Sequence, residues 1–140
     1  LKKIEKVLIN GGFKLIIDTS ILIDYFRKTD KEKSRLVQHF RKYQKIYISS
    51  ITEFEIYNGA TETHKEFWDK MLSRIKVLDF DSLTAREAAR IVSELKIKRK
   101  SIDKPDLFIA ATAVIHEMTF DTLNTKDFKH IDSLKLLSVI

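Results

Sequence analysis

Hydrophobic positions along the chain fall into two rhythms. The short runs Leu15-Ile16-Ile17, Ile46-Tyr47-Ile48, Val77-Leu78, Thr119 to Leu123 and Leu136 to Val139 show little polar alternation, which predicts strands covered on both faces. Between them lie longer stretches with helical spacing. Ala88, Ala89, Ile91, Val92 and Leu95 mark an amphipathic helix over Ala85 to Leu95; Phe67, Met71, Leu72 and Ile75 mark another. The run from Leu107 to Ile115 is apolar on nearly every side and predicts a helix sunk in the core. Strand–helix alternation of this kind predicts an α/β sandwich around a mostly parallel sheet, with ligands at the carboxyl ends of the strands. The Gly11-Gly12 pair is the one candidate break. It sets an N-terminal extension, residues 1–14, apart from a single domain over residues 15–140.

Composition narrows this picture. With 140 residues, 44% hydrophobic and 33% charged, the chain reads as one globular domain rather than a disordered segment. It contains no cysteine, which excludes disulfide frameworks, thiolate zinc sites and cysteine nucleophiles. The longest apolar run is about half of a membrane span, and the first residues lack the core of a signal peptide. A cytoplasmic protein without membrane contact is the expectation. Lys and Arg number 26 against 20 Asp and Glu, a net charge of +6 that favours a polyanion such as nucleic acid. The four histidines, 39, 64, 116 and 130, show no metal-binding spacing and read as structural or exposed.

Acids stand where strands end and helices begin. Asp18 follows the first strand directly; it either caps the next helix or offers a carboxylate to a cation. Ser50 and Glu53 have capping-box spacing, as do Thr52 and Glu55; with Ser50 as the cap, Glu55 lies in the second turn, on a face turned toward the strand ends. Pro105 at a helix start puts Asp106 in the first turn, against the core, with Asp103 as cap or solvent-facing neighbour. Asn124 and Asp127 follow the fourth strand. Carboxylates gathered at one edge repel unless a cation intervenes, and oxygen-only ligands select Mg²⁺ or Mn²⁺. Metal-assisted phosphodiester hydrolysis is the chemistry such a set serves.

The segments DTSILIDYF, ISSITEFEIYNGA, IDKPDLFIAATA and TLNTKDF, in this order from Leu15 onward, resemble the PIN-domain ribonucleases, and among them the VapC toxins of toxin–antitoxin pairs. The resemblance implies a PIN-like three-layer sandwich with a mostly parallel central sheet flanked by helices. It implies an endoribonuclease using Mg²⁺ or Mn²⁺, acting by water attack to leave a 5′-phosphate and a 3′-hydroxyl. It also implies a cognate antitoxin and a homodimer. By motif match Asp18, Glu55 and Asp106 are catalytic, with Asp18 and Asp106 on the metal. Asn124 stands where the family often has its fourth acid, so Asp127 is the candidate to supply that carboxylate. Thr19 and Ser20 support the site. Lys98, Arg99 and Lys100 are candidate RNA contacts, though cations there also complement a helix C-terminus. Arg41, Lys42 and Lys45 form a second basic cluster, and Tyr25, Tyr57 or Trp68 could stack a base or sit in a dimer interface.

Rival readings are a non-catalytic PIN-fold module that binds RNA or a partner, and a housekeeping RNA-processing nuclease. A receiver domain wants an adjacent acidic pair after the first strand, and a dehalogenase-type phosphatase wants Asp-x-Asp there. Asp18-Thr19-Ser20 is neither.

Overall fold

The computed structural model describes residues 14–137. All of the expected extension except Lys14, and the end of the expected Leu136–Val139 strand, lie outside the described residues. Five strands, β1 (Leu15–Ile17), β2 (Ile46–Ser49), β3 (Lys76–Leu78), β4 (Thr119–Asp121) and β5 (Lys135–Leu136), form one sheet in the order β3-β2-β1-β4-β5. Every pairing is parallel. Seven α-helices among the described residues flank it: α1 (Thr19–Arg27), α2 (Arg35–Lys42), α3 (Ser50–Gly59), α4 (Lys65–Leu72), α5 (Ser82–Ile97), α6 (Lys104–Ile115) and α7 (Thr125–Phe128).

Two-sided burial explains the missing polar alternation. Leu15, Ile16 and Ile17 are all fully buried, yet successive side chains leave the strand on opposite faces. Ile16 joins Phe120 in a core made with α5 and α6; Leu15 and Ile17 join Ile46 and Ile48 in a second core under α1, α2, α3 and α4. The result is three layers. Helix α6 buries Leu107 and the whole stretch from Ile109 to Ala113, as its continuous apolar run predicts. Its three alanines leave room for close approach to α5. No helix among the described residues is long and apolar enough to cross a membrane.

Two local expectations are corrected. The cap of α3 is Ser49, whose Oγ accepts from the Ile51 N–H at 3.0 Å. Ser50 is already helical, and its Oγ accepts instead from the Phe80 N–H beyond β3, at 3.1 Å. Strand β4 stops at Asp121 rather than Leu123. Its continuation is drawn sideways, because the Leu123 N–H donates to Ser20 Oγ at 3.0 Å instead of to a ladder.

The chain runs outward from β1 to β2 and β3, then returns to lay β4 and β5 on the other side. That reversal makes the carboxyl ends of β1 and β4 a topological switch point, the crevice where open α/β sheets bind ligands.

Candidate active site

Asp18 leaves the end of β1 with its backbone N–H donating to the Asp121 carbonyl at 3.2 Å, one step beyond the β1–β4 ladder. Its side chain is 3% exposed and caps α1, Oδ1 accepting from the Ser20 N–H at 3.1 Å. Capping and site placement therefore coincide in one residue. Ser20 Oγ donates to Oδ1 at 2.5 Å, and Thr122 Oγ1 donates to Oδ2 at 2.6 Å. Burial pushes the Asp18 carboxyl above its ordinary value, while bonds from Ser20, Thr122 and the Ile21 N–H pull the other way. Asn124 caps α7 without a side-chain bond; its N–H donates to Thr122 Oγ1 at 3.0 Å.

Glu55 comes from the middle of α3 and meets α1 through Thr19, whose hydroxyl donates to Oε1 at 2.6 Å. Thr19 Oγ1 also lies 3.2 Å from that of the fully buried Thr52. This anchor leaves Oε2 of Glu55 for chemistry and fixes its direction.

Asp106 stands in the first turn of α6, half-buried. No hydrogen bond from the described residues reaches its carboxylate. Burial, then the charges of Asp18, Glu55, Asp127 and Asp103, push its carboxyl up to about 6. Asp18, Glu55, Asp106 and Asn124 line one open cleft of ≈ 470 Å³, together with Thr19 and Ser20. Asp127 lines the adjoining hollow instead, with Asp106, Asp103, Lys126 and His130. Asp106 is the wall between them. Among the described residues no Lys or Arg pairs with any of Asp18, Glu55, Asp106 or Asp127, so their mutual repulsion is left standing.

This donor set fits a hard divalent cation. Its oxygens are carboxylates and hydroxyls, and a raised carboxyl without a cationic partner gains most from one. Among the described residues no three acidic or histidine side chains close tightly enough to wrap an ion by themselves. Mg²⁺ suits that arrangement, since it keeps several waters and takes only one or two carboxylates.

A second polar network, absent from the sequence-based expectations, lies behind the site. Asp121, 2% exposed, receives Arg35 Nε at 3.1 Å and faces His39 Nε2 at 2.5 Å through the same Oδ2. His39 is itself buried, and its Nδ1 has no hydrogen-bond partner among the described residues. Tyr43 packs edge-on against the ring. The pair ties α2 to the end of β4, whose carbonyl in turn holds the backbone of Asp18.

The expected basic run ends α5. Arg99 adopts φ 57°, the left-handed turn that closes a helix, and the Lys100 N–H returns to the Leu95 carbonyl at 2.9 Å. Lys98 is engaged by the His130 carbonyl at 2.7 Å and by Asp132 at 2.6 Å. Burial, then Lys100, Lys129 and Lys98, hold His130 below its ordinary value. In the other cluster Arg41 pairs with Glu32. The Tyr57 hydroxyl donates to Asp69 at 2.6 Å, which pushes it up to about 12, and Tyr25 lies under Lys31.

The PIN domain model matches residues 15–134. Ribonuclease VapC1 of Rickettsia felis is 35% identical over 133 residues, covering 89% of this chain and 96% of the relative. Ribonuclease VapC1 of Methanocaldococcus jannaschii is 32% identical over 143 residues, 97% of this chain and 94% of the relative. Among solved structures, the VapBC2 complex of Rickettsia felis bound to a promoter DNA fragment superposes with a TM-score of 0.79 at 27% identity, covering 91% of this chain and all of that one. With an all-parallel three-layer fold, acids at its switch point and relatives of this kind along nearly its whole length, the chain belongs to the PIN-domain family, among the VapC ribonucleases.

Proposed function

We propose that the protein is a divalent-metal-dependent endoribonuclease that hydrolyses RNA phosphodiester bonds as the toxin of a toxin–antitoxin pair. The observation that carries the metal-dependent chemistry is the carboxylate set at the switch point, with Asp106 raised by burial and by its acidic neighbours and no ion pair among the described residues to relieve it. Asp18 and Asp106 are the residues to hold Mg²⁺ or Mn²⁺, Asp18 already aimed by Ser20 and Thr122. A cation bound there supplies positive charge against the scissile phosphate and lowers the pKa of water at the site.

This chain's own residues do the rest. Glu55, fixed by Thr19, orients the attacking water and takes its proton through Oε2. Hydroxide adds to phosphorus as the 3′-oxygen leaves and takes a proton from solvent water, giving a 5′-phosphate and a 3′-hydroxyl. Asp127, across Asp106 from the others, supplies the outer carboxylate, with Lys126 and the cationic surroundings of His130 lining the path of the strand. An antitoxin partner, a homodimer and a cytoplasmic site of action complete the reading; the VapBC identity of the neighbouring structure supports the first of these.

The test is cleavage of a total RNA pool by purified protein with Mg²⁺, with Mn²⁺ and with chelator, beside Asp106→Asn. Discrete products requiring both metal and Asp106 are expected. Products that survive chelator and variant alike would overturn the proposal.

A further inference from the structure

A smaller pocket of ≈ 170 Å³ adjoins the carboxylate cleft; Ile23, Arg27 and Glu55 line both. Phe26, Gly59, His64 and Trp68 also line it. Phe26 stacks on Trp68 with centroids 5.4 Å apart and meets the exposed His64 edge-on at 4.9 Å.

Gly59 is the telling residue. Its φ is not positive, and a Cβ there would meet nothing within 4 Å. Gly59 is the last residue of α3, and neither its backbone angle nor its packing calls for glycine. What its bare Cα does is keep the pocket wall open.

The polar groups around the pocket match a nucleotide. Arg27 is exposed and makes no ion pair among the described residues, while its neighbour Asp24 is taken by Lys28. His64 Nδ1 is engaged with Thr61 Oγ1 at 2.9 Å, which leaves Nε2 for a base edge. Glu55 and Gly59 are one turn apart on α3, about 6 Å along its axis, as are Ile23 and Arg27 on α1. That is roughly one nucleotide step in an extended strand. An apolar side chain from a protein partner would leave both Arg27 and His64 unused. We infer that this pocket receives the base next to the scissile phosphate of an unpaired RNA strand, with Arg27 on the backbone beside it. The inference rests on the nuclease reading of the cleft, since that reading puts the phosphate there. Burial of a base against the aromatic edge of such a pocket accepts any base and is lost with the base.

Trp68, 3% exposed, is the only tryptophan in the chain and lies at the floor of the pocket behind Phe26, so its emission reports on the pocket. The experiment titrates Asp106→Asn protein in Mg²⁺ with a single-stranded RNA octamer, and with octamers carrying one abasic nucleotide at each position in turn. Intact octamer is expected to quench Trp68 saturably, and one abasic position to abolish quenching and weaken binding about 10-fold or more. Adding Gly59→Leu should weaken intact octamer similarly and remove sensitivity to that position, with no loss of melting temperature. Octamers that bind by anisotropy while Trp68 is unmoved and no abasic position matters would overturn the inference, as would Trp68 responding only to a co-purified protein partner. Wild-type protein that shows the expected quenching and never cuts RNA would overturn the nuclease reading and uphold the pocket. Cutting without quenching would do the reverse.

Discussion

Replacing Asp106 by Asn should stabilise the metal-free protein while disabling it. The folded carboxyl holds its proton up to about 6, whereas the unfolded one releases it near 3.8. Between those values the folded state binds more protons, so wild-type stability falls as pH rises from 3.8 to 6 and then levels. A shift of about 2 units corresponds to at most ~3 kcal/mol. Asp106 is only half-buried, so solvent screening cuts this roughly by half. Losing a carboxylate from the first turn of α6 gives back about 0.5 kcal/mol. A net gain of about 1 kcal/mol remains, and no hydrogen bond is lost because none from the described residues reaches the carboxylate. With unfolding entropy of roughly 0.3 kcal/mol/K for a chain of this length, the melting point should rise about 3 °C. Thermal unfolding in chelator at pH 7.5 and again at pH 3.5 measures it; the gain should vanish at the lower pH. Millimolar Mg²⁺ should then raise wild type more than the variant, since only wild type keeps the full ligand set. A variant that melts below wild type in chelator at pH 7.5, or gains equally at both pH values, would refute the electrostatic account.

Three other substitutions probe the supports. Thr122→Val strips a donor from the buried Asp18 carboxylate and an acceptor from the Asn124 N–H, and should cost about 1–3 kcal/mol in denaturant unfolding together with most RNA cleavage. Unchanged stability would mean that water replaces the hydroxyl. His39→Leu leaves buried Asp121 with Arg35 alone and should cost about 2–4 kcal/mol by urea unfolding; a loss under 0.5 kcal/mol would show the pair to be ornamental. Thr19→Val frees Glu55 and should lower kcat about tenfold with KM little changed, while Thr19→Ser restores it. Equal loss in both variants would place the effect in packing.

The layers were legible because burial on two faces removes polar residues from strands, and β1 shows this in three consecutive positions. Asp18 and Asp106 were legible as acids at a strand end and a helix start, positions defined by the apolar runs beside them. Glu55 was less so. Its place depends on the rotation of α3 about its axis and on a hydroxyl from another helix, 36 residues away. The cap moved from Ser50 to Ser49 because Ser50 was claimed by Phe80, a contact no local pattern encodes. His39 and Asp121 were invisible for the same reason. In sequence one is a polar residue in a basic amphipathic helix and the other the end of a strand, and 82 residues separate them. Lys98, a candidate RNA contact, also pairs with Asp132 on another segment, which no local pattern encodes.

The central place of β1 sets a clock on the protein's birth. Ile16 leaves the ribosome well ahead of its neighbour on one side, Phe120, and the bond that seats Asp18 comes from Asp121. Until that late segment emerges, the first carboxylate has no Thr122 to aim it, and Asp106 has no sheet edge to face. A growing chain therefore carries no assembled site until Thr122 has been made. Long-range pairing of this kind folds late and slowly. For an RNA-cutting enzyme made on a ribosome, beside the very message that encodes it, that delay is a built-in period of innocence.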